Sequence, residues 1–87
     1  MNTMSHIYKE YNKKIGNTVF KMRKKRNISQ EQLSELANIH RTYLSDVEGG
    51  KRNLTVTVLK RIVDSLDLDM SSFFKMVEQE GEIYNDE

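Results

Sequence analysis

The 87-residue sequence contains no cysteine, no proline and no tryptophan, and only four glycines. Without cysteine there is no disulfide framework and no thiolate metal site, so chemistry leaves the redox compartment unconstrained. His6 and His40 stand alone, with no companion set of ligands, and neither a metal nor another cofactor is expected. The absence of proline and the scarcity of glycine disfavour long strand-and-turn folds and favour helices with short connections. Apolar residues never run longer than a few in a row, which argues against a membrane span, and the N-terminus lacks the apolar segment of a secretory signal. A soluble cytoplasmic protein is expected. There is also no serine, cysteine or histidine set at catalytic spacing and no phosphate-cradling glycine loop, so an enzyme is not expected.

A chain of this size buries only about 60% of its unfolded surface and supports one small core, hence one domain. Its net charge of +1 conceals a segregation: residues 1 to 61 carry thirteen Lys/Arg against five Asp/Glu, a balance of +8, and residues 62 to 87 carry one against eight, a balance of −7. Such a chain places a basic face on a polyanion and keeps an acidic end away from it. Solvated charges on helical surfaces are the alternative explanation.

The stretch from Ser29 to Arg52 organises the rest. Ser29 and Gln32 have the spacing of a capping box and start a helix at Gln30. Leu33, Leu36 and Ala37 form one apolar stripe, and Asn38 follows where a left-handed residue is needed. A second short helix enters through His40-Arg41-Thr42, turns Leu44 and Val47 inward and stops at Gly49-Gly50. Two short helices joined by a three-residue turn can place the second in the major groove of DNA while the first crosses the phosphate backbone.

Around this unit, a first helix is expected from about Ile7, with Tyr8, Tyr11, Ile15, Val19 and Met22 as its buried stripe; Gly16 and Asn17 argue against its being unbroken. Asn27 supplies another left-handed turn residue. Thr55 caps a fourth helix carrying Leu59, Ile62, Val63 and Leu66, and Asp69 caps a last one. On that last helix Phe73 and Phe74 point about 100° apart, so one ring is expected inward and the other toward a partner. Met70, Phe73, Phe74 and Val77 form the expected dimer surface, the alternative being that the rings close the core edge.

Ser29-Gln30, Leu33, Ala37, Ile39, Leu44, Val47, Glu48 and Gly50, continued by Thr55, Leu59, Ile62 and Leu66, resemble the phage Cro and repressor helix-turn-helix family of bacterial transcription regulators. Arg41-Thr42-Tyr43 with Arg52-Asn53-Leu54-Thr55 is most similar to the small controller proteins of restriction-modification systems. The resemblance implies an all-α, compact five-helix lambda-repressor-like domain spanning 7–80, with 1–6 a flexible N-terminus and 81–87 an acidic flexible tail. It pairs Arg23 with Glu48 across the core; two exposed charges are the alternative.

It further implies a homodimer on a near-palindromic operator in double-stranded DNA, with recognition helices about 34 Å apart, and contact with RNA polymerase if it activates. Arg41 and Thr42 are the expected base readers, Arg41 by two bonds to guanine and Thr42 through its methyl on thymine. Gln30, Tyr43, Ser45, Lys51, Arg52 and Asn53 are the expected phosphate contacts, with packing of the Tyr43 ring on Arg41 as an alternative. Asp46, placed with the base readers, departs from the basic or neutral residue common in relatives. It can accept from cytosine, hold Arg41 in register, or sit at the rim and weaken nonspecific binding. A phage-type repressor or an antitoxin shares all these residues, and neighbouring genes separate the cases. A helical protein-interaction module without DNA binding is the rival of another class, and the charge segregation argues against it.

Overall fold

Short-range side-chain chemistry marks the helix ends in the computed structural model, which describes residues 3–85 and the side chains of residues 6–80. Five helices follow in order, α1 Thr3–Lys25, α2 Gln30–Ala37, α3 Arg41–Glu48, α4 Val56–Ser65 and α5 Met70–Asn85, and there is no strand among the described residues. The Ser29 hydroxyl accepts from the Gln32 backbone while the Gln32 side chain accepts from the Ser29 backbone, which completes the capping box of α2. Thr55 caps α4 through Val58, and Asp69 accepts from the Ser72 backbone at the start of α5. Asn27, Asn38 and Asp67 turn the chain with φ near +60° (62°, 57° and 58°), so side chains tolerant of the left-handed region stand where glycine is commonest.

α1 begins at Thr3, earlier than the expected Ile7, and passes through Gly16 and Asn17 without a break; α5 continues to Asn85. The helices thus enter both segments set aside as flexible, whose outermost residues 1, 2, 86 and 87 lie outside those described. No described helix is long and apolar enough to cross a membrane.

α1 packs on α3 and α5, and α2 packs on α3 and α4. The core between them contains Ile15 and Val19 from α1, Leu33 and Ala37 from α2, Leu44 and Val47 from α3, Leu59, Ile62 and Val63 from α4, and Phe73 and Val77 from α5. Of the expected stripes, Tyr11 and Met22 are only partly buried against this core, and two members are exposed. Leu36 is 63% exposed and Tyr8 59% exposed, because the α2 core face is narrow and the first turns of α1 extend past the bundle.

Phe73 and Val77 correct the expected dimer surface. Both are completely buried within the single chain, since residues 70, 73, 74 and 77 make the inward stripe of α5 itself. Met70 and Phe74 are half-buried, and the Phe74 ring meets Phe73 edge-on with centroids 5.6 Å apart.

Candidate nucleic-acid interface

Arg41 and Thr42 open α3 and are both exposed. His40 precedes them in an extended conformation but makes no side-chain cap, so the first N–H groups of α3 are left to other acceptors. Beside them, Lys24, Asn27, Ser29, Gln30, Gln32 and Arg41 line a polar groove of about 570 Å³ between the end of α1, the start of α2 and the start of α3. The positive end of the α2 dipole faces this groove.

The far end of α3 is fixed from below. Arg23 Nε donates to Glu48 Oε2 at 2.7 Å and its Nη2 donates to Glu48 Oε1 at 2.9 Å, with side chains 8% and 6% exposed. Arg23 Nη1 donates to the Ile28 carbonyl at 2.9 Å, which ties the turn before α2 into the same pair. The carboxylate holds the guanidinium above its ordinary pKa, its hydrogen bonds and charge outweighing the cost of burial. Gln30, an expected phosphate contact, donates its amide to Glu48 Oε1 at 3.0 Å, because the buried carboxylate still has lone pairs to fill.

Gly16 lets α1 approach this point. A Cβ there would stand 2.1 Å from the Val47 carbonyl oxygen, so only glycine allows the two helices to meet. Gly50, at φ +75°, lies against Lys13, where a Cβ would come within 2.7 Å of the side chain and 2.9 Å of Cα. Asn12 Nδ2 donates to Asn53 Oδ1 at 2.8 Å, so Asn53 is held on α1. A mid-helix glycine is a sequence signal of close approach; neither Lys13 nor Asn12 carries one.

Ser45 and Lys51 are exposed beside these groups. Arg52 places its guanidinium 4.6 Å from the centre of the Tyr43 ring and its Nε 3.5 Å from Asp46 Oδ2. Asp46 and Tyr43 therefore both engage Arg52, not Arg41: the helix points Arg41 away, while the segment after Gly50 folds Arg52 back over α3. A carboxylate on this face lowers its local positive potential.

The bundle and its exposed second-helix N-terminus define a helix-turn-helix domain. A family model described as helix-turn-helix (HTH_3) matches residues 19–73, and the chain belongs to that family. Control protein C.MunI of Mycoplasma sp is 37% identical over 68 residues, covering 77% of this chain and 92% of that protein. The immunity repressor protein of Bacillus phage phi105 is 30% identical over 74 residues, covering 82% of this chain and 51% of the repressor. Among solved structures, the restriction-modification controller protein C.Esp1396I, a tetramer in complex with its natural 35 base-pair operator, matches with a TM-score of 0.76 at 33% identity, over 80% of this chain and 92% of that one.

Proposed function

We propose that this protein is a sequence-specific transcription regulator that binds a near-palindromic DNA operator as a homodimer and controls its own restriction-modification operon. The observation that carries the reading is the pairing of an exposed Arg41-Thr42 start with a buried Arg23–Glu48 anchor at the other end of the same helix. Such a helix presents its base-reading end in a fixed orientation. Arg41 and Thr42 read bases, and Ser45, Lys51 and Arg52 lie close enough in the chain to meet the flanking phosphates. Tyr43 and Asn53 support this edge through Arg52 and Asn12. The likeness to control proteins supports the restriction-modification role; the likeness to the phi105 immunity repressor favours a phage-type repressor as second reading.

Two copies joined through Met70 and Phe74, the accessible members of the α5 stripe, place two recognition helices on one DNA face. The working compartment is the cytoplasm, where the operator is. Activation of transcription additionally brings RNA polymerase as a partner.

The test is binding to DNA upstream of the protein's own gene, by gel shift and anisotropy, for wild type and Arg41→Ala over a salt series. The expected complex holds two chains and weakens steeply between about 0.05 and 0.2 M salt as counterions are released. Arg41→Ala loses about 1–3 kcal/mol of base discrimination with little change on random DNA. A wild type that binds neither this DNA nor a random pool at low salt overturns the proposal and favours the protein-interaction module.

A further inference from the structure

The outward side of α3 carries one carboxylate, Asp46, on a face proposed to meet phosphates. Its partner Arg52 lies in the irregular segment between Gly50 and α4, where no helical backbone fixes a side chain. Two contacts locate the Arg52 guanidinium, the Tyr43 ring at 4.6 Å and Asp46 Oδ2 at 3.5 Å. Tyr43 and Asp46 are three residues apart on one helix, so together they form a seat with an aromatic floor and an anionic edge. A planar guanidinium fits such a seat; an ammonium would not stack in the same way.

The geometry makes the seat a weak one. The Arg23–Glu48 pair is made at 2.7 Å by side chains 8% and 6% exposed, whereas Arg52–Asp46 is made at 3.5 Å by side chains 46% and 36% exposed. The second distance exceeds that of a charge-assisted hydrogen bond, and exposed pairs contribute little. A well-placed phosphate, offering two short bonds to the same guanidinium, outcompetes the carboxylate. A poorly placed one does not.

We propose, resting on the operator-binding reading above, that Asp46 is a positioning residue for Arg52 and that the pair sets the discrimination between operator and random DNA. With Tyr43, Asp46 holds Arg52 at the edge of the recognition helix and neutralises it until a DNA phosphate in register takes the guanidinium over. On the operator, Arg41 and Thr42 seat α3 so that the transfer occurs. On random DNA the helix is not seated, Arg52 stays on Asp46, and one cation is withheld from nonspecific binding.

The test compares wild type, Asp46→Asn, Arg52→Ala and the double variant on operator and on random duplex. Asp46→Asn keeps the shape and removes the charge. It is expected to raise random-DNA affinity by up to about eightfold at about 0.1 M salt and to steepen that salt slope by about 0.9, the effect of one more neutralised phosphate. Operator affinity rises less, so the operator-to-random ratio falls. In the Arg52→Ala background the same substitution relieves repulsion equally on both DNAs and leaves the ratio unchanged. An unchanged ratio in the parent, or an equal fall in both backgrounds, overturns the proposal, the second outcome making Asp46 a base reader in its own right. In the DNA-free protein, the Arg52 Nε–H resonance is expected upfield of the other arginines under the Tyr43 ring and to move on Asp46→Asn; a resonance that does not move removes the seat. A wild type with no preferred DNA removes the operator reading and the discrimination with it, while the free-protein resonance still decides whether Arg52 is held.

Discussion

Replacing Glu48 with alanine removes three hydrogen bonds at once, two from Arg23 and one from Gln30. The deleted carboxylate leaves the Arg23 guanidinium in a site only 8% exposed, with the Ile28 carbonyl as its remaining hydrogen-bond acceptor. Breaking a buried pair on one side costs about 3–5 kcal/mol, because the surviving charge keeps its desolvation penalty. A chain of this length has about 4–13 kcal/mol of total stability. The substitution therefore consumes a large share of it, lowering the melting temperature by more than about 12 °C at about 4–8 °C per kcal/mol for a domain of this size.

Circular-dichroism melts and urea titrations of Glu48→Ala measure the loss directly. Two further variants separate charge from packing. Glu48→Gln keeps an acceptor for Arg23 and should fall between, whereas Arg23→Met with Glu48→Leu removes both charges together and should recover most of the stability, since apolar replacement of an entire pair is commonly neutral or favourable. A Glu48→Ala midpoint within about 2 °C of wild type would refute the reasoning, for it would mean the pair contributes well under 1 kcal/mol.

Gly16→Ala drives a methyl against the Val47 carbonyl, and since backbone must yield, a loss at or above about 1–3 kcal/mol is expected in a urea titration, in contrast to the gain usual for glycine-to-alanine in a helix. Phe73→Ala should cost about 3–5 kcal/mol of folding stability, while Phe74→Ala should mainly weaken the dimer; sedimentation with parallel melts tells the two apart, and the reverse pattern would return Phe73 to the interface. Tyr11 donates to Glu78 Oε2 at 2.6 Å, and burial, then that bond and the neighbouring charge, push its pKa from 10.0 up to about 12. The folded state thus keeps a proton that the unfolded chain releases, so this stabilisation is complete below about pH 10 and is lost as the pH rises toward 12. An absorbance titration should show a late tyrosine ionisation, and Tyr11→Phe should abolish it.

Features governed by residues a few positions apart are legible in the sequence itself. Ser29 with Gln32, Asn38, Thr55 and Asp69 each satisfy backbone groups within three residues of themselves, and they mark both ends of α2 and the starts of α4 and α5. Periodicity alone assigns faces less well. It counts Leu36 and Tyr8 as inward because a stripe has no means of registering where the neighbouring helix ends. Phe73 and Phe74 pose the opposite problem: their angular separation shows that the rings diverge, but which one enters the core depends on how α5 packs on α1, distant in sequence. The meeting of Arg23 and Glu48, 25 residues apart, is suggested only by resemblance, and no local pattern points to Arg52 folding back onto Asp46 and Tyr43. Gly16 is legible as a point of close approach, but its partner, the Val47 backbone, is not.

The manner in which α1 clamps α3 has a genetic consequence. Gly16 abuts Val47, Arg23 grips Glu48, Lys13 backs Gly50, and Asn12 holds Asn53. The rear of the reading helix is thus gripped while its front projects, like a beam set in a wall, so a small tilt at the root displaces the tip. A selection for variants that fold yet ignore their operator should accordingly recover substitutions along α1, behind the reading helix, alongside those at the proposed base readers Arg41 and Thr42.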